Sequence, residues 1–275
     1  MIKSFFAAIS LSLSAGCAFG CTIITGAPVT IAAPGQYCLD QDLVLTLGSE
    51  AIRVTSDDVS IDLKGYSLIG PHYGGVAGSP LSIGVKFDQV SNAEIRNGRI
   101  SGFGTGVQVI AGIFDKGALV EDLLVDTVSA TAIAVVTSNA VIRNNRIQNV
   151  SGFLQANCVC SQSIIGISAK GNGIQISGNS ILGMTSPNSV SSNAITISFS
   201  SNALIEGNLI STAGTQSFTG VRVSGNSGLV SVVDNKFLGT LKEIVFADSA
   251  GVYSRNISAD GMGTYIGGTP VGDNF

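Results

Sequence analysis

The sequence has no Trp and a single His among 275 residues, and charged residues make up 12% of it, against about 25% in an ordinary soluble domain. With one His and no His/Cys cluster at ligand spacing, a metal centre gains no support. No Gly-rich phosphate loop precedes a helix and no nucleophile motif occurs, so nucleotide binding and Ser- or Cys-type covalent catalysis gain none either. The net charge of -4 and isoelectric point of about 4.9 come with no basic cluster, which leaves no electrostatic footprint for nucleic acid. The N-terminal apolar run, Phe5 to about Ala15, is too short to span a bilayer. Apolar residues at helical spacing are also missing.

The chain has instead 35 glycines, an apolar fraction of 45% and two short units that recur in step. The first is a small residue followed by apolar, any, and apolar or small. It appears at Ala51-Ile-Arg-Val54, Gly84-Val-Lys-Phe87, Gly106-Val-Gln-Val109, Ala132-Ile-Ala-Val135, Gly166-Ile-Ser-Ala169, Ala194-Ile-Thr-Ile197 and Gly220-Val-Arg-Val223. The second is an apolar residue, a short polar turn and another apolar residue, as in Ile142-Arg-Asn-Asn-Arg-Ile147. Copies run Glu94 to Ile100, Val120 to Val125, Ile176 to Ile181, Ile205 to Ile210 and Val232 to Phe237, with a looser one from Ile61 to Leu68. A spacing that wanders between about 22 and 34 residues, made of short alternating segments, is the mark of a solenoid whose turns are strands. Residues 49–250 therefore read as one elongated domain.

Both ends are out of step. Lys3, the apolar run and the small-residue site Ala18-Phe19-Gly20 make residues 1–20 read as a secretory signal peptide, placing the protein outside the cell, in a periplasm or on a cell surface. Lipidation at Cys17 or Cys21 is the rival reading. Residues 21–48, punctuated by Pro28 and Pro34-Gly35, are expected to cap the first coil, whose strand edges and core side chains would otherwise be exposed. Residues 251–275 read as a C-terminal cap or tail. Removal of residues 1–20 leaves four cysteines, and we expect Cys21 with Cys38 to staple the cap and Cys158 with Cys160 to close within one loop, although spacing does not fix the connectivity.

In the short unit the second and fourth residues face inward and the third faces water. In the second unit both apolar residues point inward, which a tight turn allows only if one residue is left-handed, a conformation Asn and Gly tolerate best. Aligned on the closing apolar residue, that turn holds Gly98, Asn145, Asn179, Asn208 and Asn235. Stacked at about 4.8 Å, their amides can bond along the stack, so these asparagines are assigned a structural role.

These turns resemble the right-handed parallel β-helix proteins of the pectin-lyase-like superfamily, over roughly Leu43 to Ala247. Pro34-Gly-Gln-Tyr-Cys-Leu39 and Val59-Ser-Ile-Asp-Leu-Lys-Gly65 are also similar to secreted β-helix repeat proteins. The resemblance implies an all-β, right-handed parallel β-helix of seven to eight coils with three strands each. It implies no single activity, since the family holds lyases, hydrolases, epimerases, tailspikes and adhesins. The paired aspartates of its hydrolases and the Asp-His motifs of its epimerases are absent here.

Long returns, Leu68 to Gly84, Ile147 to Gly166 and Ile181 to Ala194, flank the minimal returns Ile100 to Gly106 and Val125 to Ala132. Insertions at one corner of a solenoid project from the same edge, and the gap would be on the order of 10 to 15 Å wide. The resemblance puts substrate against the outer face of the short-unit strands, where Arg53, Lys86, Gln108, Ala134, Ser168, Thr196 and Arg222 point outward. Elimination from a uronic acid needs a base and a cation. Lys86 is the candidate base and Arg53 the candidate neutraliser, with His72, Tyr73, Asp88 and Gln108 as substrate contacts. A second charged row, Arg96, Glu121 and Arg143, reads as a surface ladder. No cofactor is indicated by a motif; Asp88, Asp115, Glu121 and Asp126 are oxygen donors for Ca2+ only without compact spacing. The expected partner is a carbohydrate, bound or modified, with a non-catalytic adhesion scaffold as the alternative.

Overall fold

The computed structural model describes residues 20–46, 48–71, 81–111, 117–152, 163–185, 192–212, 218–240, 242–259 and 263–274. Among them there is no helix, and every strand pairing is parallel. The chain is a right-handed parallel β-helix, the architecture that the resemblance implies. Each coil passes through three sheets: a first sheet built of the short units, then a second and a third on the two sides of the polar turn.

The first sheet has ten strands. Seven carry the short unit, Val29–Ile31 precedes them, and Lys242–Phe246 and Tyr265–Ile266 follow. Its inward side chains stack in register, Ile52 on Val85, Val107, Ile133, Ile167, Ile195, Val221 and Ile244 in turn, and all are fully buried. Close approach explains the small residue that opens the unit. A Cβ on Gly106 would lie 2.6 Å from both the Ala132 carbonyl oxygen and Val125 Cγ1, so a larger residue would push adjacent coils apart.

The second and third sheets meet at the polar turn. Ile95, Val120, Ile142, Ile176, Ile205 and Val232 stack before it, and Ile100, Val125, Ile147, Ile181, Ile210 and Phe237 after it. An unbroken strand would put these two sets on opposite faces. The left-handed residue that restores parity is the one before the stacked Asn: Asn97 (φ 59°), Asp122 (52°), Asn144 (56°), Gly178 (63°), Gly207 (62°) and Asp234 (56°). The next residue is thereby turned into the core.

Asn145, Asn179, Asn208 and Asn235 occupy that inward position, each 1% exposed. Asn145 N and Nδ2 donate to Asn179 Oδ1, both at 3.0 Å, and the pattern repeats from Asn179 to Asn208 and from Asn208 to Asn235. Each Nδ2 also donates to a backbone carbonyl of the preceding coil, Val120, Ile142, Ile176 and Ile205. The ladder continues through Asn256 to Asn274, past the point where periodicity fades in the sequence. Strands Gly251–Ser254, Ile257–Ser258 and Thr269–Pro270 keep the coil register there. Two of them are two residues long, too short for an alternating pattern to show.

The two ends differ. At the N-terminal end Thr22–Ile23, Val29–Ile31, Gly35–Cys38 and Leu43–Val44 already lie in the three ladders, and a disulfide joins Cys21 to Cys38. At the C-terminal end Tyr253 and Tyr265 stack at 4.9 Å between centroids and Phe246 lies 6.3 Å from Tyr253. Burial, with Glu243 and Tyr253 nearby, pushes the Tyr265 hydroxyl above its ordinary pKa. Cys158 and Cys160, like residues 1–19, lie outside the described residues.

Candidate functional site

The outer face of the first sheet is built by strict alternation. Arg53, Lys86, Gln108, Ala134, Ser168, Thr196 and Arg222 form one vertical row, each aligned with the next. The side chain changes from coil to coil while the strand register is kept across seven turns.

Its N-terminal end is a closed charge network. Lys86 Nζ lies 3.1 Å from Glu50 Oε1 and 3.6 Å from Asp88 Oδ2, and Arg53 pairs with Asp88 and, at 3.8 Å, with Glu50. Two cations and two carboxylates balance. Lys86, Glu50 and Asp88 are mostly covered, with side chains 17 to 19% exposed, whereas Arg53 is 44% exposed. Beside them is a depression of about 290 Å3 lined by Pro28, Val29, Thr30, Gly48, Ser49, Glu50 and Arg53. Glu50 escapes a reading of the sequence because it precedes the small residue of its unit. His72 and Tyr73 lie outside the described residues.

The C-terminal end is charged differently. Lys170, Arg222 and Lys242 stand on the outer side of strands Ile165–Lys170, Phe218–Ser224 and Lys242–Phe246, and none has a carboxylate partner among the described residues. The strands Ile165–Lys170, Ser192–Ser198 and Phe218–Ser224 contain no acidic residue at all. Lys170 Nζ sits 4.7 Å from the centroid of Phe199, a cation–π contact that leaves its charge uncompensated. Between these cations run Ser168, Thr196, Ser198 and Ser224, aligned coil to coil. Thr196 Oγ1 and Asn193 Oδ1 are shielded from solvent and have no hydrogen-bond partner among the described residues. In the sequence, residues 153–162, 186–191 and 213–217 carry no charge.

The second charged row is a structural ladder. Asp62, Arg96, Glu121 and Arg143 align on successive coils, with Arg96 to Asp62 at 3.5 Å, Arg96 to Glu94 at 2.5 Å and Arg143 to Glu121 at 2.7 Å. Arg99 reaches Asp126 at 2.7 Å. Burial works to raise the Asp126 carboxyl, but hydrogen bonds from Asn149, Gln148 and Thr127 and the charge of Arg99 outweigh it and hold it below its ordinary pKa. Asp88, Glu121 and Asp126 are each engaged by a cation; Asp115 lies outside the described residues. Among the described residues no three His, Cys, Asp or Glu side chains converge as metal ligands, and no helix is long and apolar enough to cross a membrane.

No protein-family profile matches the chain, and no curated protein does. Among solved structures, the enzymatically active domain of bacteriophage CBA120 tailspike protein 2 is 14% identical, with a TM-score of 0.47 over 89% of this chain and 42% of that one. The chain thus spans less than half the length of that domain. Endopolygalacturonase I from Stereum purpureum, complexed with galacturonate, is 12% identical, with a TM-score of 0.37 over 93% of this chain and 96% of that one.

Proposed function

We propose that the protein is a secreted or surface-exposed polysaccharide-binding protein whose contact surface is the outer face of the first sheet. The observation that carries this reading is the row from Gln108 to Arg222, polar or small at every coil and in register throughout. A saccharide chain laid along the solenoid axis meets the uncharged side chains of Gln108, Ala134, Ser168 and Thr196 over most of that row. It meets free cations at one end, where Arg222, Lys170 and Lys242 supply charge-assisted bonds to an acidic sugar.

The same surface bears on catalysis. A lyase-type step would use Lys86 as base and Arg53 as neutraliser, and both are already paired with Glu50 and Asp88. That pairing favours binding, with the solenoid as rigid scaffold, over elimination. The test is equilibrium binding to a panel of acidic and neutral polysaccharides, with Ca2+ present or absent, read beside the ultraviolet absorbance of unsaturated uronates. Saturable binding without an absorbance rise is the expected result. An absorbance rise that disappears in Lys86→Ala would replace the binding reading with the lyase one, and no binding to any glycan would remove both for that panel.

A further inference from the structure

At both ends of the solenoid the outermost strands have a neighbour on one side only among the described residues, but the two edges are built differently. The last coils end on the stacked rings of Phe246, Tyr253 and Tyr265, and the final strand contains Pro270, a residue that blunts an edge. Among the described residues, neither Thr22–Ile23 nor Val29–Ile31 contains a proline or ends on stacked rings. Strands Thr22–Ile23 and Val29–Ile31 have a neighbour on one side only among the described residues. Beneath them is a depression of about 580 Å3 lined mainly by residues 22–33, with Ile23 half exposed.

Two further features set this end apart. From Gly20 to Leu39 there is not one charged residue, so the edge lacks the lysines and carboxylates that ordinarily discourage strand pairing. The Cys21–Cys38 disulfide ties the segment carrying Thr22–Ile23 to the strand Gly35–Cys38 of the first coil, so that edge is held in strand geometry before anything binds to it. Ile31 accepts a hydrogen bond from Thr55 N through its carbonyl and so faces the second coil. Because successive strand residues turn their backbone groups to opposite sides, Thr30 turns its amide and carbonyl to the open end.

We propose that this end is a self-association surface, closed by the same end of a second copy about a two-fold axis. Such an axis, normal to the first sheet, sets the two Val29–Ile31 strands antiparallel around Thr30 and brings the two apolar depressions face to face. An isologous contact opposes a patch to itself, so charged side chains in it would repel their own copies, and this patch has none. A second copy also matches the edge in strand direction, length and disulfide-fixed shape.

The test is sedimentation equilibrium on the full chain, expressed through a secretory route and measured over a wide concentration range. The wild type is expected to double its mass as concentration rises. Thr30→Pro, which removes an N–H directed away from the protein's own coils, and Ile23→Lys, which places like charges across the axis, are expected to remain monomeric, with unchanged circular dichroism. Val271→Lys at the other end is expected to dimerise normally. A wild type that stays monomeric throughout, a dimer that survives both edge substitutions, or a dimer lost in Val271→Lys would overturn the proposal. A monomer whose first twenty residues are retained would assign the edge to that segment and overturn it equally.

Discussion

Coils before Asn145 and coils after it have the same path and the same apolar stacks, yet they are stitched together by different chemistry. In the earlier coils Arg53, Lys86, Arg96, Arg99 and Arg143 each reach a carboxylate, most of them across a coil boundary, and the inward turn position holds Gly98 and Leu123. In the later coils that position is Asn five times before Asn274 ends the ladder, and the one ion pair among the described residues is Arg255 with Asp234. Where amides join the coils, cations are not needed for joining. Lys170, Arg222 and Lys242 are accordingly free on the later part of the same outer face whose earlier part is neutralised.

This contrast is broken most severely within the ladder. Asn208→Ala removes the acceptor of Asn179 N and Nδ2 and the donor to Ile176 O and Asn235 Oδ1. Leaving such groups buried and unpaired costs about 3 kcal/mol, to be seen as a lower midpoint in urea unfolding with the slope unchanged.

Acid sharpens the difference between the halves. The Asp126 carboxyl is held below its ordinary pKa, so its stabilising contribution is complete above the unfolded value, about 3.9, and is lost as pH falls through the lower folded value. Asn amides do not titrate in that range. Hydrogen exchange between pH 5 and pH 2.5, values set at about one unit either side of that reference, should show coils around Asp126 losing protection before those around Asn208. In Asp126→Asn that early loss should disappear.

A smaller effect is expected from the exposed pairs. Arg143→Ala breaks the contact with Glu121, whose partner arginine is 49% exposed, and should cost about 0.2 to 1 kcal/mol, less in high salt. Smallest of all is Arg222→Ser, which has no ion pair to lose and should change stability by about 0.5 kcal/mol or less.

Much of this was legible in the sequence because a solenoid repeats its instructions. The seven short units fall on seven first-sheet strands, and the outward row is in the predicted register, because alternation fixes facing once a strand is recognised. Cys21 and Cys38 are joined as expected. What stayed hidden depended on pairing between coils. Glu50 meets Lys86 only after a return of 33 residues brings their strands together, and no local pattern announces that Glu50 will neutralise a cation. Lys170 lies just past its unit, Lys242 belongs to a coil whose small position is taken by buried Glu243, and Asn256 and Asn274 sit among strands too short to show a period. The candidate site therefore shifted along its own face, from the paired cations toward the free ones.

The measurement that bears most directly on this account is the affinity of one acidic polysaccharide for the wild type, Arg222→Ser and Lys86→Ala, under identical ionic strength. The account predicts that Arg222→Ser weakens binding by about tenfold or more, the worth of one charge-assisted contact, while Lys86→Ala binds as the wild type does. Binding lost in Lys86→Ala and kept in Arg222→Ser would contradict it.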